Sequence, residues 1–427
     1  MKLKLASLEL NAASLLASSL ITAILGLVYW AIAANHFPEA DVGQATAVVS
    51  TATMLGTLAT LSLGGMYERF ILSSGKKATT FIWQGIALCC VAGLLLGFIF
   101  IFAMPESRLF GNSLERWLFP FMVVSFTLFA VLDPILTGLG RATWVGLKNI
   151  PFSLIKLIPV MLFSASASAL TITGSWTLLA VFTSAIFTFV AMRYSTRKFG
   201  GQKSTLPPTR ELWHYQLAAF SMTLLGSVTP LVLPLLVIEN LGAVQNAYFN
   251  ITWMICSAVN MAYAALMTSY VVEASTCLDD LARPTRKFLK LLAVAAIVCS
   301  ICLAVFGPIV LAVVGDSYQT QGTPLLRIMA LTALFQGIIA AYSAISKVFR
   351  RLRLLVVVQI LAVIGTLSGS FIAVTRFTLT EVGWAHLFTD ALLTCVILVP
   401  FLKLLKEIFP KNSAVVSEPE VRIDSVK

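Results

Sequence analysis

The chain has 427 residues, of which 58% are hydrophobic and only 11% charged, with a mean hydropathy of +0.91; soluble proteins are about 45–50% apolar and about 25% charged. This excludes a soluble globular domain and places the chain in a bilayer. The formal net charge of +11 is no argument for nucleic acid, because the cations are spread over many short loops between apolar runs.

Each crossing needs about 20 apolar residues, and about twelve such runs follow one another. The first, about 12–34, comes after "MKLKLASLEL" with no small-residue cleavage pattern behind it, and reads as a retained span. The loop "NHFPEAD" leads into a second span at about 42–66, which ends near Arg69. A third, about 81–104, contains "GLLLG", whose Gly93 and Gly97 have the spacing that allows close helix contact inside a lobe. The fourth, about 117–138, carries Asp133 directly before Pro134, and the fifth, about 149–168, carries Lys156. Arg141 and Lys148 lie between them.

After the sixth span, about 175–193, comes the longest inner loop, "RYSTRKFGGQKSTLPPTRELWH", rich in Gly, Pro and charge. The seventh span, about 215–237, holds Pro230 and Pro234 on one face, which predicts a bend. Spans at about 247–270, 288–314, 325–346, 353–375 and 382–403 complete the set. The eleventh carries a second close-packing pair, Gly365 and Gly369, and the twelfth carries Asp390. A polar tail without apolar period follows from Pro410 and is expected to be disordered.

Alternate loops differ sharply in charge. One set takes all but five of the 30 basic residues, leaving Arg108, Arg116, Arg327 and Arg376 opposite and Lys156 inside a span. By the positive-inside rule both termini are cytoplasmic. The external loops are short, the longest being "PESRLFGNSLER", which leaves no room for a sizeable external domain.

The two halves start on the same side and can be overlaid as parallel copies. The passage from "YWAIAANHFPEADVGQ" lies on that from "LPLLVIENLGAVQNAY", with Gly43 opposite Ala247 and Glu68 near Glu273, and Arg141 meets Arg350 in a later pair. The expected division is therefore an N-terminal six-helix lobe (1–194), a cytoplasmic linker (195–214), a C-terminal six-helix lobe (215–409) and a tail (410–427).

The stretch "AANHFPEADVGQATAVVSTATMLGTLATLSLGGMYERFIL" resembles the first two helices of bacterial polysaccharide flippases of the Wzx type, in the multidrug/oligosaccharidyl-lipid/polysaccharide exporter superfamily. "VVGDSYQTQGTPLLRIMALTALFQGIIAAYSAISKVFRRLRLLVVVQ" is similar to that family's ninth-to-tenth-helix passage, with Gly315, Tyr318 and a basic turn before helix eleven. The resemblance runs from about residue 10 to 405 and rests on the order of several motifs. It implies an all-α polytopic membrane protein, two pseudo-symmetric six-helix lobes around a central cavity that opens alternately to each side. It also implies a location in the bacterial inner (plasma) membrane, and a polyprenyl-diphosphate-linked oligosaccharide as cargo, a precursor of O-antigen, lipopolysaccharide or exopolysaccharide. Membrane lipids and other polysaccharide-assembly membrane proteins are the expected partners.

Such cargo carries a diphosphate and sugars that cannot cross about 30 Å of hydrocarbon unaided. Lys156 lies mid-span, where a charge is costly and faces a cavity or a partner, so it is the first candidate to meet the diphosphate or a sugar. The alternatives are an interhelical tie to Asp133 or snorkelling to the cytoplasmic face. Asp133, beside the helix-loosening Pro134, and Asp390 are candidate sites for a coupling H⁺ or Na⁺, against a structural hydrogen bond or ion pair. Arg69, Arg141 and Lys148 stand near the cytoplasmic entrance. They read as substrate contacts or as topology-setting charges meeting anionic headgroups, worth about 1 kcal/mol each. Helices one and seven line the gap between lobes in the resembling family, which would make Pro230 and Pro234 part of a gate; a static kink is the alternative.

Neither the C-x-x-C of Cys299 and Cys302 nor the three histidines form a metal set, and no phosphate-binding G-x-x-x-x-G-K-[ST] loop occurs. No enzyme activity and no cofactor beyond a coupling ion are expected. A drug or small-solute antiporter is the alternative reading. A membrane glycan polymerase fits less well, because it needs a large external loop.

Overall fold

The computed structural model describes residues 2–104, 108–162, 168–205, 209–276, 281–349, 351–376 and 378–409, and all regular structure among them is helical. The tail expected to be disordered lies outside the described residues. The first half contains α1 (Lys2–His36), α2 (Glu39–Ala59), α3 (Leu63–Phe70), α4 (Ala78–Ala103), α5 (Ser113–Gly138), α6 (Thr143–Ile155), α7 (Leu157–Leu162) and α8 (Ala169–Phe199). The second contains α9 (Thr209–Leu241), α10 (Ala243–Thr276), α11 (Ala282–Val314), α12 (Asp316–Val348), α13 (Leu352–Arg376) and α14 (Leu379–Ile408). Both α8 and α9 extend into the expected linker, which is therefore shorter than 195–214.

Ten helical stretches are long and apolar enough to cross a membrane, and α2 with α3, bent by 50°, makes an eleventh. In α1 the described apolar stretch, Ile21–His36, is shorter than a crossing. The chain is a multi-pass membrane protein, and every expected span coincides with one helix except the second and fifth, which are broken.

Each break has a local cause. Between α6 and α7, Pro159 has no N–H to offer the carbonyl of Ile155 and its ring crowds that carbonyl, so the helix gives way at Lys156. Between α2 and α3, Leu61 and Ser62 take the left-handed region, with φ of 51° and 57°, at about 1–2 kcal/mol each for residues with a Cβ. Tertiary ties hold them there: the Ser62 hydroxyl donates to Thr223 at 2.6 Å, and the Gln216 amide donates to the Leu61 carbonyl. At Pro230 and Pro234, where a bend is expected, α9 is one continuous helix through both. In a membrane protein, neighbouring groups satisfy the carbonyls a proline frees, so two prolines need not break a helix.

Glycine spacing places helices within each lobe as expected. Gly93 and Gly97 of α4 lie against Thr127 and Pro120 of α5, while Gly365 and Gly369 of α13 lie against Thr389 and Ala385 of α14.

Buried side chains form three clusters. One joins both lobes at a single end of the bundle, through Tyr29 and Val48 from the first half and Ile238, Phe249 and Tyr318 from the second. The other two are separate: Tyr67, Ile82 and Ile135 in the N-terminal lobe, and Tyr270, Phe288 and Ile345 in the C-terminal lobe. These lie toward the end carrying Arg69, Arg141, Lys198 and Arg351, here called the basic end. Two lobes thus share one core at the far end and part toward the basic end, where the α2–α9 seam still ties them.

Polar contacts close the far end. The Asn246 amide donates to the Gly43 carbonyl at 2.8 Å, the Tyr248 hydroxyl to Glu39 at 2.5 Å, and the Asn35 amide to the Val314 carbonyl at 3.0 Å. α10 approaches so closely that a Cβ on Gly43 would lie 1.7 Å from the Ala243 carbonyl oxygen.

Candidate functional site

The break at Lys156 aims its side chain inward among aromatic rings. Its Nζ lies 4.0 Å from the ring centroid of Trp176, 5.0 Å from that of Tyr29 and 5.7 Å from that of Phe152. The residue is 3% exposed. Asp133 pairs with Lys148, and no described carboxylate is found paired with Lys156. Neither the Tyr29 hydroxyl, which faces Ser175 and Trp176, nor the Trp176 indole nitrogen makes a well-formed hydrogen bond.

Lys156, Phe152 and Trp176 border a cavity of about 540 Å³ between the lobes, walled by α1, α6 and α8 on one side and α10 on the other, with Tyr29 buried behind it. Thr22, Trp30, Asn149, Lys156, Trp176 and Ser257 line it, and Lys156 is the one charged residue among its described lining.

Asp133 and Lys148 find each other instead. Lys148 is fully buried, its Nζ 2.8 Å from Asp133 Oδ1, donating at 2.5 Å to the Phe129 carbonyl and 3.5 Å from the Phe129 ring centroid. The Asn149 amide donates to Asp133 Oδ2 at 3.2 Å. The interhelical tie considered for Lys156 therefore belongs to Lys148. The entrance position expected for Lys148 does not hold, because its side chain points into the lobe while its partner stands one span away on α5.

Arg69 and Arg141 are exposed at the basic end. Arg141 lies over Trp144 and Tyr194, at 5.4 and 4.9 Å from their ring centroids. Neither touches the central cavity. Asp390, on α14, is 8% exposed, and its Oδ2 has no hydrogen-bond partner among the described residues. It lines a separate cavity inside the C-terminal lobe. Pro230 and Pro234 lie in the half of α9 that joins the shared core.

Sequence reasoning found the cation and missed its surroundings. Nothing in the sequence singles out Tyr29, Phe152 and Trp176, and only the folded chain brings them to Lys156. The sequence signal available was Pro159, which predicts a break where Lys156 stands.

A family model described as "Polysaccharide biosynthesis protein" matches residues 9–272. No curated protein sequence matches the chain. Among solved structures, the chain is similar to the lipid II flippase MurJ in an inward closed conformation, with 12% identity, 91% of this chain and 89% of that one covered, and a TM-score of 0.65. It is also similar to the MATE multidrug transporter DinF-BH, with 15% identity, 93% and 96% covered, and a TM-score of 0.64. A third is a MOP superfamily transporter from Pyrococcus furiosus Vc1, with 15% identity, 94% and 95% covered, and a TM-score of 0.56. At such identities the likeness establishes the fold, which is that of MOP-superfamily transporters.

Proposed function

The chain belongs to the polysaccharide biosynthesis protein family, and from that premise we propose that it flips a polyprenyl-diphosphate-linked oligosaccharide, a cell-surface polysaccharide precursor, across the bacterial inner membrane. By the positive-inside rule the basic end is cytoplasmic. The lobes then part toward the cytoplasm, the side from which the cargo is taken up, and alternating access carries it to the external leaflet.

The observation that carries this reading is Lys156. A buried cation without a counter-ion costs several kcal/mol in desolvation, while cation–π contacts return about 2 kcal/mol or somewhat more when desolvated. Three rings reduce the deficit without closing it, and an anionic ligand would close it. The Tyr29 hydroxyl and Trp176 indole N–H beside Lys156 are further donors for phosphate oxygens. A cationic drug, by contrast, would meet a like charge in this cavity, which counts against the antiporter reading. Arg69 and Arg141 serve at the entrance, where their exposure suits passing headgroups. If H⁺ or Na⁺ drives the cycle, Asp390 is the carboxylate open to it, since Asp133 is engaged by Lys148.

The test is flipping of a fluorescent polyprenyl-diphosphate oligosaccharide in proteoliposomes. Lys156→Ala is expected to lower the rate about tenfold or more, equivalent to at least ~1.4 kcal/mol, with the folded protein intact by size-exclusion chromatography. A wild type that leaves this lipid unmoved yet exchanges a cationic drug for H⁺ or Na⁺ would establish the antiporter instead.

A further inference from the structure

The second cavity, about 510 Å³, lies inside the C-terminal lobe, within the ~300–1,000 Å³ range of small-molecule sites. Its chemistry differs from that around Lys156. Asn260 of α10, Gln336 and Ser343 of α12, Gln359 of α13 and Asp390 of α14 line it, with Lys347 of α12. Polar side chains at this depth are costly in lipid and mark pathways.

The hydrogen-bond inventory selects the ligand. Asp390 Oδ2 is buried without a well-formed hydrogen bond, with the Gln336 side chain beside the carboxyl, and an under-satisfied buried acceptor favours a ligand that donates to it. Three side-chain amides each donate and accept, so they match a ligand whose groups do both at close spacing, as the hydroxyls of a sugar do. One carboxylate and one ammonium leave the lining neutral overall, which suits an uncharged solute.

The two cavities adjoin neighbouring faces of α10. Ser257 and Met261 line the first, Asn260 and Ala264 the second. Between them is a gap of about 10 Å³ lined by Ser257, Asn260 and Gln336, room for about one water.

We propose that the C-terminal-lobe cavity is a glycan subsite that takes an uncharged, hydroxyl-rich sugar unit of the cargo through Asn260, Gln336, Gln359 and Asp390. The proposal rests on the flippase reading, in which Lys156 takes the diphosphate. Sugar hydroxyls and a coupling ion would then compete for the same oxygen of Asp390.

The experiment compares two cargoes in proteoliposomes, a polyprenyl diphosphate bearing several sugars and the same lipid bearing none. For Asn260→Ala with Gln336→Ala, the ratio of glycan-bearing to sugar-free flipping is expected to fall about tenfold, the worth of one or two hydrogen bonds. Ser343→Phe, which fills the cavity without removing an amide, should lower the same ratio and serves if the double variant does not fold. Lys156→Ala should slow both cargoes together and leave the ratio unchanged. Wild-type ratios in the cavity variants would overturn the glycan subsite with the flippase reading intact. A wild type that moves neither cargo would overturn the flippase reading and the subsite with it.

Discussion

Lys148 and Lys156 are the same residue type in the same span, and the fold gives them opposite surroundings. Lys148 is neutralised by Asp133, accepted by the Phe129 carbonyl and closed off from solvent; Lys156 has rings and no carboxylate. Removing one partner of a buried pair leaves the other charge uncompensated, so Lys148→Ala should lower stability by roughly 3 kcal/mol, the low end for such pairs, because Asp133 remains 36% exposed. The double variant Asp133→Asn with Lys148→Met should recover most of that loss, read as melting temperature in detergent. Equal melting of Lys148→Ala and wild type would mean the pair is not structural. The sequence sets Lys148 at the start of the span and Lys156 within it and cannot show which one meets Asp133, because that depends on how α5 and α6 rotate against each other.

At the scale of elements, most of the helix order is legible, since hydropathy and the Lys/Arg asymmetry are local properties. Breaks are less so. Pro159 stands at a break, while Pro230 and Pro234 leave α9 unbroken, and the α2–α3 bend contains no proline at all. That bend is held by Gln216 and Thr223 from α9, residues more than a hundred positions away that no local pattern reveals. If flexing of α9 gates the cleft, replacing Pro230 and Pro234 with Ala restores hydrogen bonds to the ladder. Stability should then rise by about 1 kcal/mol or more while flipping slows several-fold. Unchanged transport in a stabilised double variant would remove α9 from the gating role.

For the whole molecule, the parallel repeat was readable in outline. Gly43, set opposite Ala247 in the overlay, packs against Ala243 and Ala247 in space, as corresponding residues do near a pseudo-two-fold axis. Which end closes was not readable, because the seal is made by scattered residues such as Asn35, Glu39 and Asn246, each unremarkable alone. The cavity of the C-terminal lobe was not readable for the same reason, being assembled from several helices, whereas the central one was expected only through the family resemblance.

The solitary cation of the central cavity is also an electrical element. Lys148 is balanced by Asp133, and Lys347 shares its cavity with Asp390, so the empty carrier presents a net positive site at Lys156, and on the proposed flippase reading the diphosphate-loaded carrier presents a net negative one. A membrane potential acts on each unit charge with about 2.3 kcal/mol per 100 mV. An interior-negative voltage therefore favours outward passage of the loaded site and inward return of the empty one. Imposing a potassium diffusion potential on the proteoliposomes should accelerate continuous turnover of the wild type. In Lys156→Gln only the loaded half-cycle should respond, and a voltage-independent wild type would refute the idea. On this reading the carrier rectifies its cycle with the resting potential of the cell, using one lysine without a counter-ion.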